Sequence, residues 1–240
     1  MLLVLLMSLL SKEGRSFLQF CLVRMSSLYK YKKIEEIPSK ISIFPLNGAL
    51  LLPRSQLPLN IFEPRYLEMI DNSISSDRLI GMIQTQESNE NQLYSIGCLG
   101  KITSFTELSD SRFIITLNGI CRYKVTQELD TLTPYRQVKV SYEDFENDLT
   151  PGFNQDKANR DKLLDVLKRY LEKNNLQIDW EAVKGSPTET LVNSLCSLSP
   201  YSAEEKQALL EAEDIQKRNE LLIAMTEMAL STNKGIESIQ

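Results

Sequence analysis

Residues 57–70 read LPLNIFEPRYLEMI, a strand-like pattern followed directly by a helix-like pattern. Pro58 indicates an edge strand, because proline cannot donate to a ladder of hydrogen bonds. Pro64 suits the first position of a helix, where a missing N–H costs nothing. The spacing of the next apolar residues predicts one face of a short helix, formed by Tyr66, Leu67, Ile70 and Ile74.

Glu63 and Arg65 form a charged pair at this predicted corner. An acid at a helix N-terminus can accept hydrogen bonds from the unpaired N–H groups there. An arginine can form a forked contact with a carboxylate or with strand carbonyls. We predict a structural role for the pair, and the alternative is that both residues line a binding groove.

Strand-like runs lie on both sides of the corner, joined by short connections. They are ISIFPL (41–46), RLIGMIQ (78–84), LYSIGCLGKITSFTEL (93–108), RFIITLNG (112–119), ICRYKVTQEL (120–129) and YRQVKVSYE (135–143). We expect QESNENQ (86–92) to be a polar loop and Asn118-Gly119 to end a strand. The pattern predicts an antiparallel barrel or sandwich.

Beyond residue 150 the pattern is helical, with apolar residues three and four apart. Two helices open on predicted capping boxes, Ser186 with Glu189 and Ser202 with Glu205. We therefore predict an α+β protein with three parts: an extension at 1–40 that is partly disordered or a mis-assigned start, a β-rich subdomain at 41–150 and a helical subdomain at 151–240.

Composition and charge are those of an ordinary globular protein. Apolar residues make up 42% of the chain, and 27 basic against 32 acidic residues give a formal net charge of −5. Binding to a phosphate backbone usually needs a strong positive excess, so a nucleic-acid partner is disfavoured. The four cysteines, at 21, 98, 121 and 196, form no CxxC pair and indicate free thiols in a reducing, cytoplasmic setting.

The chain contains no histidine, which removes Ser-His-Asp and Cys-His catalysis and the commonest metal ligand. GCLGKI (97–102) resembles a phosphate-binding loop but lacks its first glycine, and Ile102 stands where a hydroxyl is needed. Adjacent acids such as Glu204-Glu205 fit helix starts and strand ends. We therefore expect no cofactor, no metal and no catalytic residue, although a Ser-Lys pair would escape this reasoning.

The N-terminus, MLLVLLMSLL, is too short to span a bilayer and has no basic residues before it. Three interpretations stay open: initiation at Met25, a weak export or membrane-touching signal within residues 1–24, and a packed extra helix. Apart from this segment, no membrane contact is expected.

Residues 41–144 resemble the N-terminal domain of Lon-type ATP-dependent proteases. The motifs that carry the resemblance are IFPL, LLP, LPLNIFEPRYLEMI, IGCLGKI and RFIITLNGICRYKV, in that order. Family members typically have glycine where this chain has Arg54, and often Asp-Gly where it has Asp110-Ser111. The resemblance implies a PUA-like β pseudo-barrel followed by helices. It also implies a domain that contacts substrates and helps oligomers to assemble, without catalytic residues of its own.

The ATPase and peptidase modules of that family lie downstream of this domain, so we expect a free-standing, non-enzymatic protein. It would bind unfolded or exposed polypeptide segments, as an adaptor or decoy for a AAA+ protease. The candidate contacts lie in the 50–55 loop and at the corner: Leu52, Pro53, Pro58, Phe62, Glu63, Arg65 and Tyr66. The alternatives are a PUA-like RNA- or nucleotide-binding module and a hydrolase with an unrecognised Ser-Lys pair.

Overall fold

A computed structural model describes residues 31–86 and 89–232. Within them the chain divides into two compact units. One holds residues 31–151 and Tyr201–Glu211, and the other holds Gly152–Pro200 and the chain from Ala212 onward. The predicted limits at 41–150 and 151–240 stay a prediction, because compactness alone does not show independent folding. The interpretations of residues 1–24 lie outside the described residues.

The first unit is built on a six-stranded sheet, formed by β1 (Lys40–Pro45), β2 (Gln56–Ile61), β3 (Leu79–Ile83), β6 (Ile96–Glu107), β7 (Phe113–Leu129) and β8 (Gln137–Ser141). Their order across the sheet is β2-β7-β6-β3-β1-β8. β7 also pairs with β8, so five strands close on themselves and β2 is left outside the ring. This is the predicted α+β fold with a β pseudo-barrel. β2 is an edge strand, as Pro58 indicated.

One pair departs from the antiparallel expectation, because β1 and β3 run parallel. Parallel strands need a long crossover, and here it carries β2 and helix α1 (Pro64–Ile74). The strand-to-helix corner is therefore part of the connection that allows the ring to close.

The core of the barrel is apolar and includes residues that the sequence places before the first strand. Tyr123 fills its centre, fully buried, and donates from its hydroxyl to Met82 O at 3.1 Å. Ile37 is buried in the same cluster, and Ile34 packs against it from a 3-10 turn, Ile34–Glu36. The β-rich unit thus begins before residue 41.

The prediction that Asn118-Gly119 ends a strand is wrong, because both residues lie inside β7, a strand of 17 residues. Gly119 is required by a close approach: a Cβ there would overlap the carbonyl oxygen of Leu52. Gly119 N donates to Ser55 O at 2.9 Å, and Arg54 N donates to Gly119 O at 2.8 Å. The Asn-Gly pair serves this contact between chain segments rather than a turn.

The prediction of a polar loop at 86–92 is also wrong in part. β4 (Thr85–Gln86) and β5 (Asn89–Leu93) form a small antiparallel pair. Asn89, Asn91 and Gln92 are exposed, and the pairing of β5 depends on its partner strand rather than on apolar alternation.

The helices after the barrel are α2 (Arg160–Lys173), α3 (Trp180–Gly185), α4 (Thr188–Leu198), α5 (Ala203–Glu211) and α6 (Ile215–Thr232). The capping box at Ser202 is confirmed: Ser202 N donates to Glu205 Oε2 at 2.8 Å, and Glu205 N donates to Ser202 Oγ at 3.2 Å. α5 belongs to the barrel unit.

The second predicted capping box is wrong. α4 begins at Thr188 after Pro187, and no side chain caps it. Ser186 closes α3 instead, with Oγ donating to Val183 O at 2.8 Å. Glu189 Oε2 accepts a hydrogen bond from Gly152 N at 2.9 Å. The sequence pattern missed the short helix α3. Ser186, which the sequence suggested as the N-cap of α4, lies at the C-terminal end of α3 instead.

Candidate functional site

The corner between β2 and α1 is shaped by backbone hydrogen bonds at Glu63. Its carbonyl oxygen accepts from Tyr66 N at 2.9 Å and from Leu67 N at 3.0 Å, which starts the helix. Pro64 follows at the first helical position, as its sequence position predicted. The side chain of Glu63 makes no capping bond. It is therefore available to Arg65.

Arg65 and Glu63 form a forked pair at the surface. Arg65 Nε donates to Glu63 Oε2 at 2.9 Å, and Nη2 lies 2.8 Å from the same oxygen. Both side chains are about half exposed, so the pair contributes little stability. It places a carboxylate and a guanidinium next to each other at the start of α1.

Tyr66 is the buried support of this corner. Its ring centroid lies 4.3 Å from that of Phe44, and the Arg65 guanidinium carbon lies 4.6 Å from the Tyr66 centroid. Burial raises the pKa of the Tyr66 hydroxyl, so the side chain stays neutral. Tyr66 thus positions Arg65 and is not itself exposed for contact.

Phe62 is the exposed apolar group of the corner, with 64% of its surface accessible. Along β2, Leu59 and Ile61 point into the core, so Pro58, Asn60 and Phe62 lie on the opposite, outer face. Asn60 pairs with Ile114 of β7, which is 44% exposed on that outer face. We call Pro58, Phe62, Glu63, Arg65 and Ile114 the corner surface.

The free edge of β2 is interrupted by Pro58. Gly119 N donates to Ser55 O, so the odd-numbered residues of this segment face β7. Gln56, Pro58 and Asn60 therefore direct their backbone groups toward the free edge, where β2 has no partner among the described strands. Pro58 leaves a gap in the row of donors.

The sequence reasoning also named Leu52 and Pro53, which the structure places in the interior. Both are buried, with Leu52 fully inaccessible. Ser55 Oγ accepts from Leu52 N at 2.9 Å and lies 2.7 Å from Leu52 O, which holds the loop closed. Their side chains form core rather than contact surface. Of the named residues, Pro58, Phe62, Glu63 and Arg65 are accessible at the surface.

Ile114 is the surface residue that the sequence reasoning missed. The signal was present, because Phe113, Ile115 and Leu117 are buried and alternate with Ile114 and Thr116. What the sequence could not show was the register that pairs β7 with β2 and sets Ile114 beside Asn60.

A buried lysine tests the Ser-Lys alternative most directly. Lys206 is 4% exposed, and burial lowers the pKa of its amine, as a general base would require. Its Nζ, however, donates to Gly48 O at 2.9 Å rather than to a serine hydroxyl. In the part of the chain that the structure describes, no group of three Cys, Asp or Glu side chains is arranged to hold a metal ion.

The described residues also contain no helix long and apolar enough to cross a membrane. The fold and the corner together define a class of protein: a β pseudo-barrel followed by helices, with an exposed apolar corner.

Comparison with known families identifies the chain more closely. The family model for the ATP-dependent protease La (LON) substrate-binding domain matches residues 40–227, and the chain belongs to this family. The Lon protease of Syntrophus aciditrophicus is 23% identical over 226 residues, which cover 90% of this chain and 28% of that protease. Lon protease 2 of Sorangium cellulosum is 26% identical over 196 residues, or 77% of this chain and 24% of that protease.

Solved structures show the same fold. The Lon N-terminal domain protein from Xanthomonas campestris superposes with a TM-score of 0.56 at 20% identity, covering 78% of this chain and 98% of that one. The N-terminal domain of the Mycobacterium avium complex Lon protease gives a TM-score of 0.54 at 16% identity, with the same coverage. This chain spans about a quarter of the length of the curated proteases it matches.

Proposed function

We propose that this protein binds exposed or unfolded polypeptide segments through the corner surface and performs no chemistry on them. The observation that carries the proposal is Phe62, a large apolar side chain that is 64% exposed and precedes the Glu63–Arg65 ion pair in the chain. An apolar contact with a polar rim suits an extended polypeptide. Membership of a substrate-binding family supports the same function.

The mode of binding follows from the edge of β2. Strand addition needs an unbroken row of backbone donors and acceptors, and Pro58 removes the central donor. We therefore assign recognition to side chains: Phe62 and Ile114 bury apolar groups of the client, while Glu63 and Arg65 engage its polar groups. Such contacts are tolerant of sequence, as a binder of unfolded chains requires.

The cellular role that we propose is that of an adaptor which brings polypeptides to a AAA+ protease in the cytoplasm. The relatives that match this chain are Lon proteases, and the matching part is the substrate-binding domain rather than a peptidase module. A net charge of −5 disfavours the RNA-binding alternative.

A titration with a fluorescent, reduced and alkylated polypeptide tests the proposal by anisotropy. We expect saturable binding that Phe62→Ser weakens roughly tenfold, since burial of a Phe side chain contributes about 1.5–3 kcal/mol. The matched control is Leu132→Ser, because Leu132 is fully exposed on the same unit and is not one of the corner-surface residues. Equal effects of the two substitutions would show that the corner surface is not the polypeptide-binding site.

Two further arms separate the rival functions. Tight RNA binding that falls steeply with salt would favour the nucleic-acid alternative. Turnover of unfolded casein by the pure protein, with or without ATP, would show an enzyme instead of a binding protein.

A further inference from the structure

The part of the sheet formed by β2, β7 and β6 has a second free edge, which lies on β6. β3 pairs with β6 only as far as Lys101, and the last backbone contact on that side is Ile102 N donating to Arg78 O at 2.8 Å. β6 continues to Glu107, and within the described part of the chain only β7 pairs with this last portion. The residues of the portion, 103–107, are all exposed, and we call them the β6 edge.

The register shows which backbone groups of the β6 edge lack a strand partner. Leu108 N donates to Arg112 O at 2.8 Å, so hydrogen-bonded pairs with β7 recur at every second residue from there. Thr106 lies at the next such position and directs its backbone groups to β7. The N–H and C=O groups of Phe105 and Glu107 therefore point away from β7, toward the free side.

The β6 edge lacks the device that interrupts the edge of β2. Pro58 leaves a gap in the donors of β2, whereas the β6 edge, with the sequence TSFTE, contains no proline and no lysine. Its threonines and phenylalanine favour an extended backbone. A bulge shifts the β6–β7 register between Ile102 and Ser104, and the residues that follow it pair regularly. The edge is therefore open to the addition of another strand.

The two faces of the β6 edge differ in chemistry. Phe105 is the cross-strand partner of the buried Ile115, and its ring centroid lies 4.9 Å from that of Phe113 in an edge-to-face contact. The Phe105 side chain is nevertheless 40% exposed. Ser104 and Thr106 lie on the opposite face of β6. An added strand would meet an aromatic ring on one face and two hydroxyl groups on the other.

Glu107 gives the β6 edge a charge preference. It follows Phe105 by two residues, so the two side chains lie on the same face of the strand. The Glu107 carboxylate makes no ion pair or hydrogen bond with the described residues. Arg112, across the turn, is bound to Asp110 at 2.7 Å instead. A basic side chain on an added strand would pair with Glu107, whereas an acidic one would be repelled.

We propose that the β6 edge binds an extended segment of the polypeptide client by antiparallel strand addition. The segment carries an apolar residue that lies opposite Phe105 and exchanges backbone hydrogen bonds with it. A basic residue two positions away lies opposite Glu107. The inference rests on the proposed polypeptide-binding function, and it adds a backbone contact and a charge preference to the side-chain contacts of the corner surface.

A second copy of this chain is the other occupant that a free edge admits. Antiparallel self-pairing centred on Phe105 would set Glu107 of each copy opposite Thr103 of the other. Both Glu107 carboxylates would then stay without a counter-charge. A client segment with a basic residue supplies that counter-charge, so the charge of the β6 edge favours the client.

A titration with a short capped peptide tests the β6 edge directly. The labelled probe is Thr-Lys-Thr-Phe-Thr-Lys-Thr, whose symmetry sets one lysine opposite Glu107 when its phenylalanine lies opposite Phe105. We expect saturable binding by anisotropy. Replacing both lysines with glutamate should weaken it roughly tenfold, because an attractive cross-strand pair becomes a repulsive one. Absent binding, or equal binding of the two peptides, would overturn the proposal.

N-methylation of the probe tests the backbone contact. Opposite Phe105, the backbone N–H of the probe's phenylalanine faces β6, whereas the N–H groups of its neighbouring threonines face away. N-methylation at the phenylalanine should weaken binding about tenfold, and N-methylation at a neighbouring threonine should have little effect. Equal effects, or the reverse order, would rule out antiparallel addition.

Variants connect the binding to Glu107. Glu107→Lys should invert the preference, so that the glutamate peptide binds more tightly than the lysine peptide. Glu35→Lys is the matched control, because Glu35 is an exposed acid of the same unit outside the β6 edge. An unchanged preference in Glu107→Lys would overturn the assignment. A wild-type dimer in sedimentation velocity that Glu107→Pro makes monomeric would do so too, since a second copy would then occupy the edge.

The two proposals fail separately. If unfolded polypeptide binds and Phe62→Ser weakens that binding, but the lysine peptide does not bind, the β6 edge alone is ruled out. If the lysine peptide binds with the expected preference but unfolded polypeptide does not bind, the edge is supported and the proposed function is ruled out.

Discussion

At the scale of single residues, Arg122 and Asp148 form the buried ion pair of the barrel. Arg122 Nε donates to Asp148 Oδ2 at 2.8 Å and Nη2 to Oδ1 at 2.9 Å, while the guanidinium stacks on Phe145. Asp148→Asn would leave a buried guanidinium without its counter-charge. We expect the free energy of unfolding in urea to fall by about 3–5 kcal/mol.

The control is the exposed forked pair between Arg136 and Glu128, whose atoms lie 2.6 and 2.7 Å apart. Glu128→Gln should cost less than about 1 kcal/mol, because solvent screens this pair. Similar losses for the two substitutions would mean that the Arg122 pair is not buried as described.

Two residues occupy the left-handed region where the family resemblance implied glycine. Arg54 has φ +62° and Ser111 has φ +61°. Arg54 is held there by its guanidinium, which donates to Asp148 O. The exposed Ser111 lies in a turn where Ser111 N donates to Leu108 O at 3.0 Å.

Ser111→Gly should therefore raise the free energy of unfolding by up to about 1 kcal/mol, since glycine relieves left-handed strain. Arg54→Gly should not stabilise, because it removes the contact to Asp148. Thermal melts of both variants check this contrast, and a destabilised Ser111→Gly protein would speak against the strain.

At the scale of elements, the two Ser-x-x-Glu motifs provide a matched pair. Ser202 makes the reciprocal bonds of a capping box with Glu205, whereas Ser186 bonds back to Val183. Ser202→Ala is expected to cost about 1 kcal/mol and Ser186→Ala only a few tenths. Urea titrations followed by circular dichroism measure both. A larger loss of stability for Ser186→Ala than for Ser202→Ala would support the original prediction that Ser186 caps a helix N-terminus.

The edge strand gives a second prediction. Pro58→Val supplies the missing donor at the free edge of β2, so we expect the variant to self-associate with rising concentration in sedimentation velocity. Thr116→Val is the control, because it adds an apolar side chain opposite Pro58 on β7, which is paired on both sides. A monomeric Pro58→Val protein would show that another feature protects this edge.

These elements show what local sequence can predict. Pro58, Pro64 and the apolar spacing of α1 predicted an edge strand and a helix start correctly. Gly119 and Ser186 were misread, because their partners, Leu52 and Val183, were unknown until the chain was folded. Local signals therefore identify elements, while contacts between segments decide the role of ambiguous residues.

At the scale of the whole molecule, the sequence and its family resemblance predicted a β pseudo-barrel, whereas the strand pairing that closes the sheet came only from the structure. β7 pairs with three strands, β2, β6 and β8, and β1 pairs parallel to β3. Such registers depend on contacts between residues that are far apart in the chain. The entropy cost of closing these long loops has no signal in a short stretch of sequence. The sequence named Phe62, Glu63 and Arg65 as candidates, whereas the exposed Ile114 could be added only once the pairing of β2 with β7 was known.

Site-specific photo-crosslinking tests the central claim of polypeptide binding most directly. A photoreactive phenylalanine analogue is placed at Phe62 or, as control, at the exposed Leu132, and each protein is irradiated with the alkylated polypeptide. We predict saturable crosslinks from position 62 that excess unlabelled polypeptide removes, and none above background from position 132. Equal crosslinking at both positions, or crosslinking from position 132 alone, would contradict the account.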